Sequence, residues 1–598
     1  MGIPGLTSYI NSLGTLWTEI NLQNTELVID GPCLCHYLYD SNGLDCRCGG
    51  QYQEYYDVVV SFFDALISYG VEPYVVFDGA YDDKKLETRE KRAKDKVKTS
   101  NALSQSADDR LFLLPPLAKD VFVDALRNRG VKFAFSDREA DREIASLANA
   151  WNCPVLSNDS DFFIFDIKAG YIPITFFNWN SSCLTVRIFY RRKLAMHFQI
   201  RAELIPLFAS LAGNDYVSCN LLSAFHRALN PIQTSNHSRE KGAKFESLAN
   251  MLSKPPDSSE EEALERALKL VKPAENGEHL RQAVELSLQE YTLRKSNLLG
   301  YFQDNSVSSS LKTQSKGEIN DWVLRQFRNG KFSVNCIRCL TSRKVFLEIP
   351  VENCTEKSAN CCSLWLRQFM YGILNDAETK ADEGNIEVIH EWDREGLSVK
   401  KSAVEPYQES VVPSLSCIPS LVLGEPVHFL LFALYSDITD VRSLREEFIL
   451  IAASLRYLIN NAQPPLKVNH LKALLCCCVN LEEGKFCNRE ERTARPEQSS
   501  WPFDIRAAQS FAQWQCVLRD AIHLNFTLLE PVPVPSIHKT FNGKMAQQLL
   551  ERLQQVHESK GNDCKPEISS DCQTNSPGQR QRKCLEQSLE NFDIDVRV

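Results

Sequence analysis

The chain has 598 residues, a formal net charge of −10 and 43% hydrophobic content, enough for two or more packed domains. That charge excludes a protein that coats nucleic acid nonspecifically, so any contact with nucleic acid must rest on local basic patches. Twenty-one cysteines are too sparse for a disulfide scaffold, no apolar run spans a membrane, and nothing at the N-terminus reads as a secretory signal, so a reducing compartment is expected. A myristoyl anchor is also rejected, because Leu6 stands where that motif wants Ser or Thr.

The first third alternates strands and helices. Strand Glu26 to Asp30 (ELVID) precedes Pro32 at a helix start, and Gln53 to Tyr69 has helical spacing before the strand Pro73 to Asp78 (PYVVFD). Lys84 to Lys98 then carries eight Lys or Arg against three acids. Its composition is helix-forming but its apolar periodicity is slight, which predicts a polar helix or arch standing off the core. Leu117 to Arg129 and Arg138 to Trp151 read as amphipathic helices. Strands at Val131 to Phe135 and Pro154 to Leu156 flank the second of them as a parallel βαβ unit.

Tyr171 to Thr185 predicts a hairpin, and helices dominate from Ile200. Arg187 to Arg201 holds five basic residues and no acid, for which a solvated face is the plainer reading. Pro255 to Glu262 opens a charged segment that is helical in pattern to Leu293, and Asn305 to Lys316 is Ser-rich; both read as linkers or exposed insertions. Apolar helical stretches follow at Phe429 to Tyr435, Glu446 to Ile459 and Leu466 to Val479. From about Ser559 the chain is polar and reads as disordered.

Seven acids carry the chemistry. Asp30 and Asp78 close two strands, Glu139 and Asp141 lie just past a third, Asp159 and Asp161 follow a fourth, and Asp215 sits in the turn Gly213-Asn214-Asp215-Tyr216. In open α/β sheets the strand C-termini share one edge and line one crevice. Carboxylates gathered there repel unless cations neutralise them, and Mg²⁺ is the hard, oxygen-seeking choice. Two ions about 4 Å apart suit in-line displacement at a phosphodiester. Each Asp alone has a bland reading as a strand-end turn residue; the set does not.

The opening Met1-Gly2-Ile3-Pro4-Gly5-Leu6, with Ile29-Asp30-Gly31, Val76-Phe77-Asp78-Gly79, Glu139-Ala140-Asp141, Asn158-Asp159-Ser160-Asp161 and Leu211 to Tyr216, closely resembles the flap endonuclease and XPG nuclease family, in particular its Asteroid branch. The resemblance covers about residues 1–220. It implies an α/β fold with a PIN/FEN-like, mainly parallel twisted sheet flanked by helices, and a mainly helical C-terminal region. The implied domains are a nuclease domain at 1–220 with a gateway insertion at 84–116, a helical extension and charged linker at 221–318, an Asteroid-type domain at 319–555 and a tail at 556–598. Asp30, Asp78, Glu139 and Asp141 would serve one Mg²⁺, and Asp159, Asp161 and Asp215 the other, with Mn²⁺ as a substitute. Lys85 and Arg92 match the family's phosphate-polarising pair, at a spacing that lets them share one helix face. Gly2, after loss of Met1, would join the site.

Two departures bear on substrate. No glycine lies between Gly213 and Gly242, and Val217 to Asn230 reads as one continuous helix, so the family's glycine-rich duplex grip is missing. His36 stands where the family stacks a Tyr, and a surface role is the plainer reading. Cys336 and Cys339 have finger spacing, yet the adjacent Cys361 and Cys362 can hardly both bind zinc, so ordinary thiols are the reading. The leading expectation is a nuclear, monomeric, Mg²⁺-dependent endonuclease for DNA with single-stranded character, acting in repair and meeting a protein partner through its C-terminal region. The rivals are a non-catalytic binding scaffold and an RNA-directed nuclease of the same fold.

Overall fold

The computed structural model describes residues 2–81, 83–108, 110–179, 183–229, 237–255, 258–271, 274–314, 316–375, 388–408, 412–422, 424–482 and 503–560. Among these, no helix is long and apolar enough to cross a membrane. Two compact units emerge: Met1–Tyr37, Val60–Thr88 and Leu126–Ser310 form the first, and Leu38–Val59, Arg89–Ala125 and Leu311–Val598 the second.

The first unit is built on a sheet of seven strands, β1 (Trp17–Asn21), β2 (Thr25–Asp30), β3 (Val71–Phe77), β4 (Lys132–Phe135), β5 (Val155–Ser157), β6 (Tyr171–Pro173) and β7 (Thr185–Phe189), in the order β1-β7-β6-β5-β2-β3-β4. Strands β6, β5, β2, β3 and β4 run parallel, whereas β7 and β1 add an antiparallel edge. Strand β2 is apolar without alternation because helices cover both faces of a parallel sheet; Leu27, Val28 and Ile29 are all fully buried. On one face Val28, Val76, Ala134 and Val155 share a core with Ile144 and Leu147 of helix Asp141–Trp151 and Leu207 of helix Ile205–Ala212.

Most predicted elements of this unit fall within a residue or two of the observed ones, and two differ. The strands around residues 133 and 156 form the expected parallel βαβ unit, with β4 paired to β3 and β5 to β2, so the crossover passes over two strands. The hairpin at 171–185 is a short β6, a 3₁₀ turn Ile174–Phe176 and β7, whose partner β1 the sequence reading missed. The run expected as one helix over 217–230 is helical only at Ser223–Leu229. The Asn214 Oδ1 accepts from the Tyr216 and Val217 N–H groups at 3.0 and 2.9 Å and Ser218 Oγ from Leu221 N at 3.3 Å, so side-chain turns hold the chain before the helix starts.

The second unit is mainly helical, with helix Ile505–Thr527 buried along most of its length. It also contains a small sheet, β10-β9-β8, of β8 (Lys344–Phe346), β9 (Ile389–Glu395) and β10 (Ser398–Val404). The basic run does not stand off the core. It forms helix Leu86–Gln105, whose Ala93, Val97, Ser100 and Leu103 are buried, with Ala93 and Val97 packed on Ile349, Phe346 and Val399. Ser100 Oγ donates to Pro350 O at 2.7 Å and Lys96 pairs with Glu348 at 2.8 Å. Small residues at 93 and 100 hid this stripe, because a dock needs only shallow side chains. The expected tail at 556–598 lies outside the described residues apart from the end of helix Gly543–Lys560.

Candidate metal centre

Parallel pairing sets the site. The ends of β2, β3, β4 and β5 open on one edge of the sheet, and Asp30, Asp78, the Glu139/Asp141 pair and the Asp159/Asp161 pair follow them directly. Hydrogen bonds then aim the Asp30, Asp78 and Asp159 carboxylates. Asp30 Oδ1 accepts from Cys33 N at 3.1 Å and its Oδ2 from Ser157 Oγ at 2.6 Å. Ser157 Oγ also accepts from Asp159 N at 3.0 Å, and Asp159 Oδ1 accepts from Asp161 N at 3.1 Å. Asp78 Oδ1 accepts from Ala140 N at 2.9 Å, while Gly79 N and Ala80 N donate to Arg138 O and Asp137 O, lacing the loops after β3 and β4 together. A Cβ at Gly79 would overlap the Ser136 carbonyl, so that lacing requires glycine.

Carboxylate oxygens of Asp141, Asp159 and Asp161 all lie within 4.8 Å of one another, the one such group of three metal-binding side chains among the described residues. Electrostatics draws in the rest. Burial, then the charges of Asp159, Asp30, Asp78 and Glu139, pushes the Asp141 carboxyl well above the usual range. Asp30 is pushed up to about 7 by burial, with Asp78 and Asp159 adding to it, and Asp161 up to about 7 by burial and Asp159, with a smaller push from Asp215. The oxygen-only, crowded chemistry of such a set fits a hard divalent ion.

Lys85 is the counter-charge. It ends the 3₁₀ turn Asp83–Lys85, is 5% exposed, and its Nζ lies 2.9 Å from Glu139 Oε2 and 3.8 Å from Asp215 Oδ2, with the Tyr216 ring centroid 4.6 Å away. Burial works against its charge, but Glu139, Tyr216 and Asp215 outweigh burial and hold the ammonium protonated above its usual range. Arg92 lies on helix Leu86–Gln105 and belongs to the second unit, so the pair expected on one helix face is split between a 3₁₀ turn and the helix after it. Gly2 sits against the centre: its φ is +40°, a Cβ there would overlap Ser160 Oγ and Asp159 Oδ1, and the next residue's N–H donates to Ser160 Oγ at 2.6 Å.

Sequence reasoning missed Ser157, Tyr216 and Tyr291. Ser157 was readable as the residue closing β5, whereas Tyr291 sits 76 residues after Asp215 in the numbering and carries no local signal. His36 is exposed on helix Gly31–Ser41. Cys336 and Cys339 are buried and Cys361 exposed, and with Cys354 and Cys362 they form no group of three metal-binding side chains among the described residues. In the second basic run, Arg187 pairs with Glu19, Arg191 with Asp166 and Arg201 with Glu203.

A crevice of carboxylates at the C-terminal edge of a mainly parallel sheet, with one buried ammonium among them, defines a hydrolytic nuclease of the flap endonuclease class. The XPG N-terminal domain family matches residues 1–99, an XPG domain-containing family residues 114–405, and the Asteroid N-terminal domain family residues 484–562. Human "Single-strand DNA endonuclease ASTE1" is 30% identical over 591 residues, covering 92% of this chain and 86% of the relative. Drosophila melanogaster "Protein asteroid" is 42% identical over 176 residues, 29% of this chain and 20% of the relative. The solved catalytic core of Rad2 with DNA substrate covers 47% of this chain and 99% of its own at 15% identity and a TM-score of 0.26. The chain belongs to the Asteroid branch of the XPG and flap endonuclease family.

Proposed function

We propose that this endonuclease hydrolyses phosphodiesters in DNA with single-stranded character, using two Mg²⁺ ions for which Mn²⁺ can substitute. The observation that carries the reading is the convergence of seven carboxylates with Lys85 at one sheet edge. Asp30, Asp78, Glu139 and Asp141 would hold one ion, and Asp159, Asp161 and Asp215 the other. When bound, the ions supply an ionised attacking water and stabilise the leaving oxygen.

The chain's own groups do the rest. The Asp30 carboxylate is held by Ser157 Oγ and the Asp159 carboxylate by Asp161 N, so both meet a cation with little reorganisation. Lys85 keeps its charge at every working pH and offers it to the scissile phosphate. Arg92, on the basic helix, supplies a second cation to the substrate backbone, and Gly2 leaves the room beside Asp159 that a side chain would fill.

The preference for single strands is supported by the turn at 214–222, where no glycine offers close backbone approach to a duplex, and by the activity printed in the human relative's name. The reading carries with it action as a monomer in nuclear DNA repair, with a protein partner met through residues 319–555. Purified protein with Mg²⁺ on end-labelled single-stranded, overhang, flap and duplex DNA, and on matched RNA, tests the substrate. Faster cleavage of single strands and overhangs than of duplex is expected; preference for RNA or for the double flap would overturn it.

A further inference from the structure

Tyr291 closes helix Ala274–Tyr291 and is 9% exposed. Its phenol donates to Asp161 Oδ1 at 2.8 Å and accepts from Asn214 Nδ2 at 3.2 Å. The same amide donates to Ser287 Oγ at 2.7 Å, four residues earlier on that helix, and Ser287 Oγ also accepts from Ser210 Oγ at 2.8 Å. Asn214 therefore spends both N–H bonds on Ser287 and Tyr291. It spends its oxygen on the Tyr216 and Val217 backbone. Flipping the amide would set NH₂ against two N–H donors, so only one orientation satisfies the network.

The consequence reaches two proposed metal ligands at once. A fixed O–H on Oδ1 sets the plane of the Asp161 carboxyl and leaves Oδ2 open, which is the service that outer-sphere partners give ligating carboxylates. On its other side Asn214 shapes the turn that presents Asp215, the next residue. We propose that Tyr291 is a positioning residue which, through Asn214, locks Asp161 and the Asp215 turn together as a preformed half of the divalent-cation centre. The inference rests on the metal reading above and adds to it that helix Ala274–Tyr291, far along the chain from the motifs, is part of the centre's frame.

Tyr291→Phe tests this with little disturbance, because the ring keeps its edge contact with Phe165 (centroids 5.5 Å apart) and only the O–H is lost. Mn²⁺ binding to the full chain is measured by calorimetry for wild type, Tyr291→Phe, Ser287→Ala and Asp161→Asn, beside melting temperatures in EDTA. The expected result is an affinity about 10- to 100-fold weaker in Tyr291→Phe, a smaller loss in Ser287→Ala, and unchanged metal-free melting. Wild-type affinity in Tyr291→Phe beside a weakened Asp161→Asn overturns the positioning role alone. Lower metal-free melting with unchanged Mn²⁺ affinity assigns the bond to stability and overturns it too. If Asp161→Asn itself binds Mn²⁺ like wild type, the metal reading underneath fails instead.

Discussion

In the centre, Asp30, Asp78, Asp159 and Asp161 accept from neutral backbone or hydroxyl donors while Glu139 and Asp215 face the Lys85 ammonium, and that division of labour predicts what single substitutions do. Lys85 is the sharpest case, being buried yet charged because Glu139, Tyr216 and Asp215 surround it. Lys85→Ala removes the charge proposed to meet the scissile phosphate, and single-turnover cleavage is expected to slow about 100- to 1,000-fold; a rate within a few-fold of wild type would remove Lys85 from catalysis. Gly2 makes a different demand. Its positive φ and the overlap a Cβ would have with Ser160 and Asp159 leave no room for bulk, so a peptide tag fused before residue 2 is expected to suppress cleavage that a C-terminal tag leaves intact. Full activity with the N-terminal tag would refute that placement.

Among the elements, helix Leu86–Gln105 shows what sequence can and cannot reveal. Its helicity was readable from composition, but its dock was not, because Ala93 and Ser100 look like surface residues until Ile349 and Pro350, about 250 positions away, are brought against them. Val97→Asp places a charge in that contact and is expected to lower the local opening free energy by about 2–4 kcal/mol, seen as faster amide exchange over residues 89–105. Unchanged exchange would mean that the dock contributes nothing to order. The parallel strands were legible for the opposite reason: β2 and β3 announce themselves as unbroken apolar runs ending in Asp30 and preceding Asp78. Strand β1, whose burial is only partial on an antiparallel edge, gave no such signal. Six of the acids were legible because strand ends are local, and Asp215 by its turn after helix Ile205–Ala212, whereas Tyr291 and Ser287 reach them through packing alone.

Over the whole molecule, the metal-free protein carries an acidic cluster that costs stability as it ionises. The folded-state values of Asp30 and Asp161 are raised to about 7 from 3.8, so between those values the native chain binds protons that the unfolded chain has released, and stability falls as pH rises through that window. In EDTA the melting temperature is therefore expected to drop between pH 5.5 and pH 8, and Mg²⁺ is expected to raise it more at pH 8 than at pH 5.5. A metal-free melting temperature that rises over the same range would contradict the burial of these carboxylates. The central claim is that this one centre performs the hydrolysis. Its most direct test is single-turnover cleavage of a labelled single-stranded DNA by wild type and by an Asp159→Asn, Asp161→Asn double variant, each in Mg²⁺ and in EDTA. Cleavage by wild type in Mg²⁺ alone, with the double variant inert, is the predicted result. Product from the double variant in Mg²⁺, or from wild type in EDTA, would contradict it.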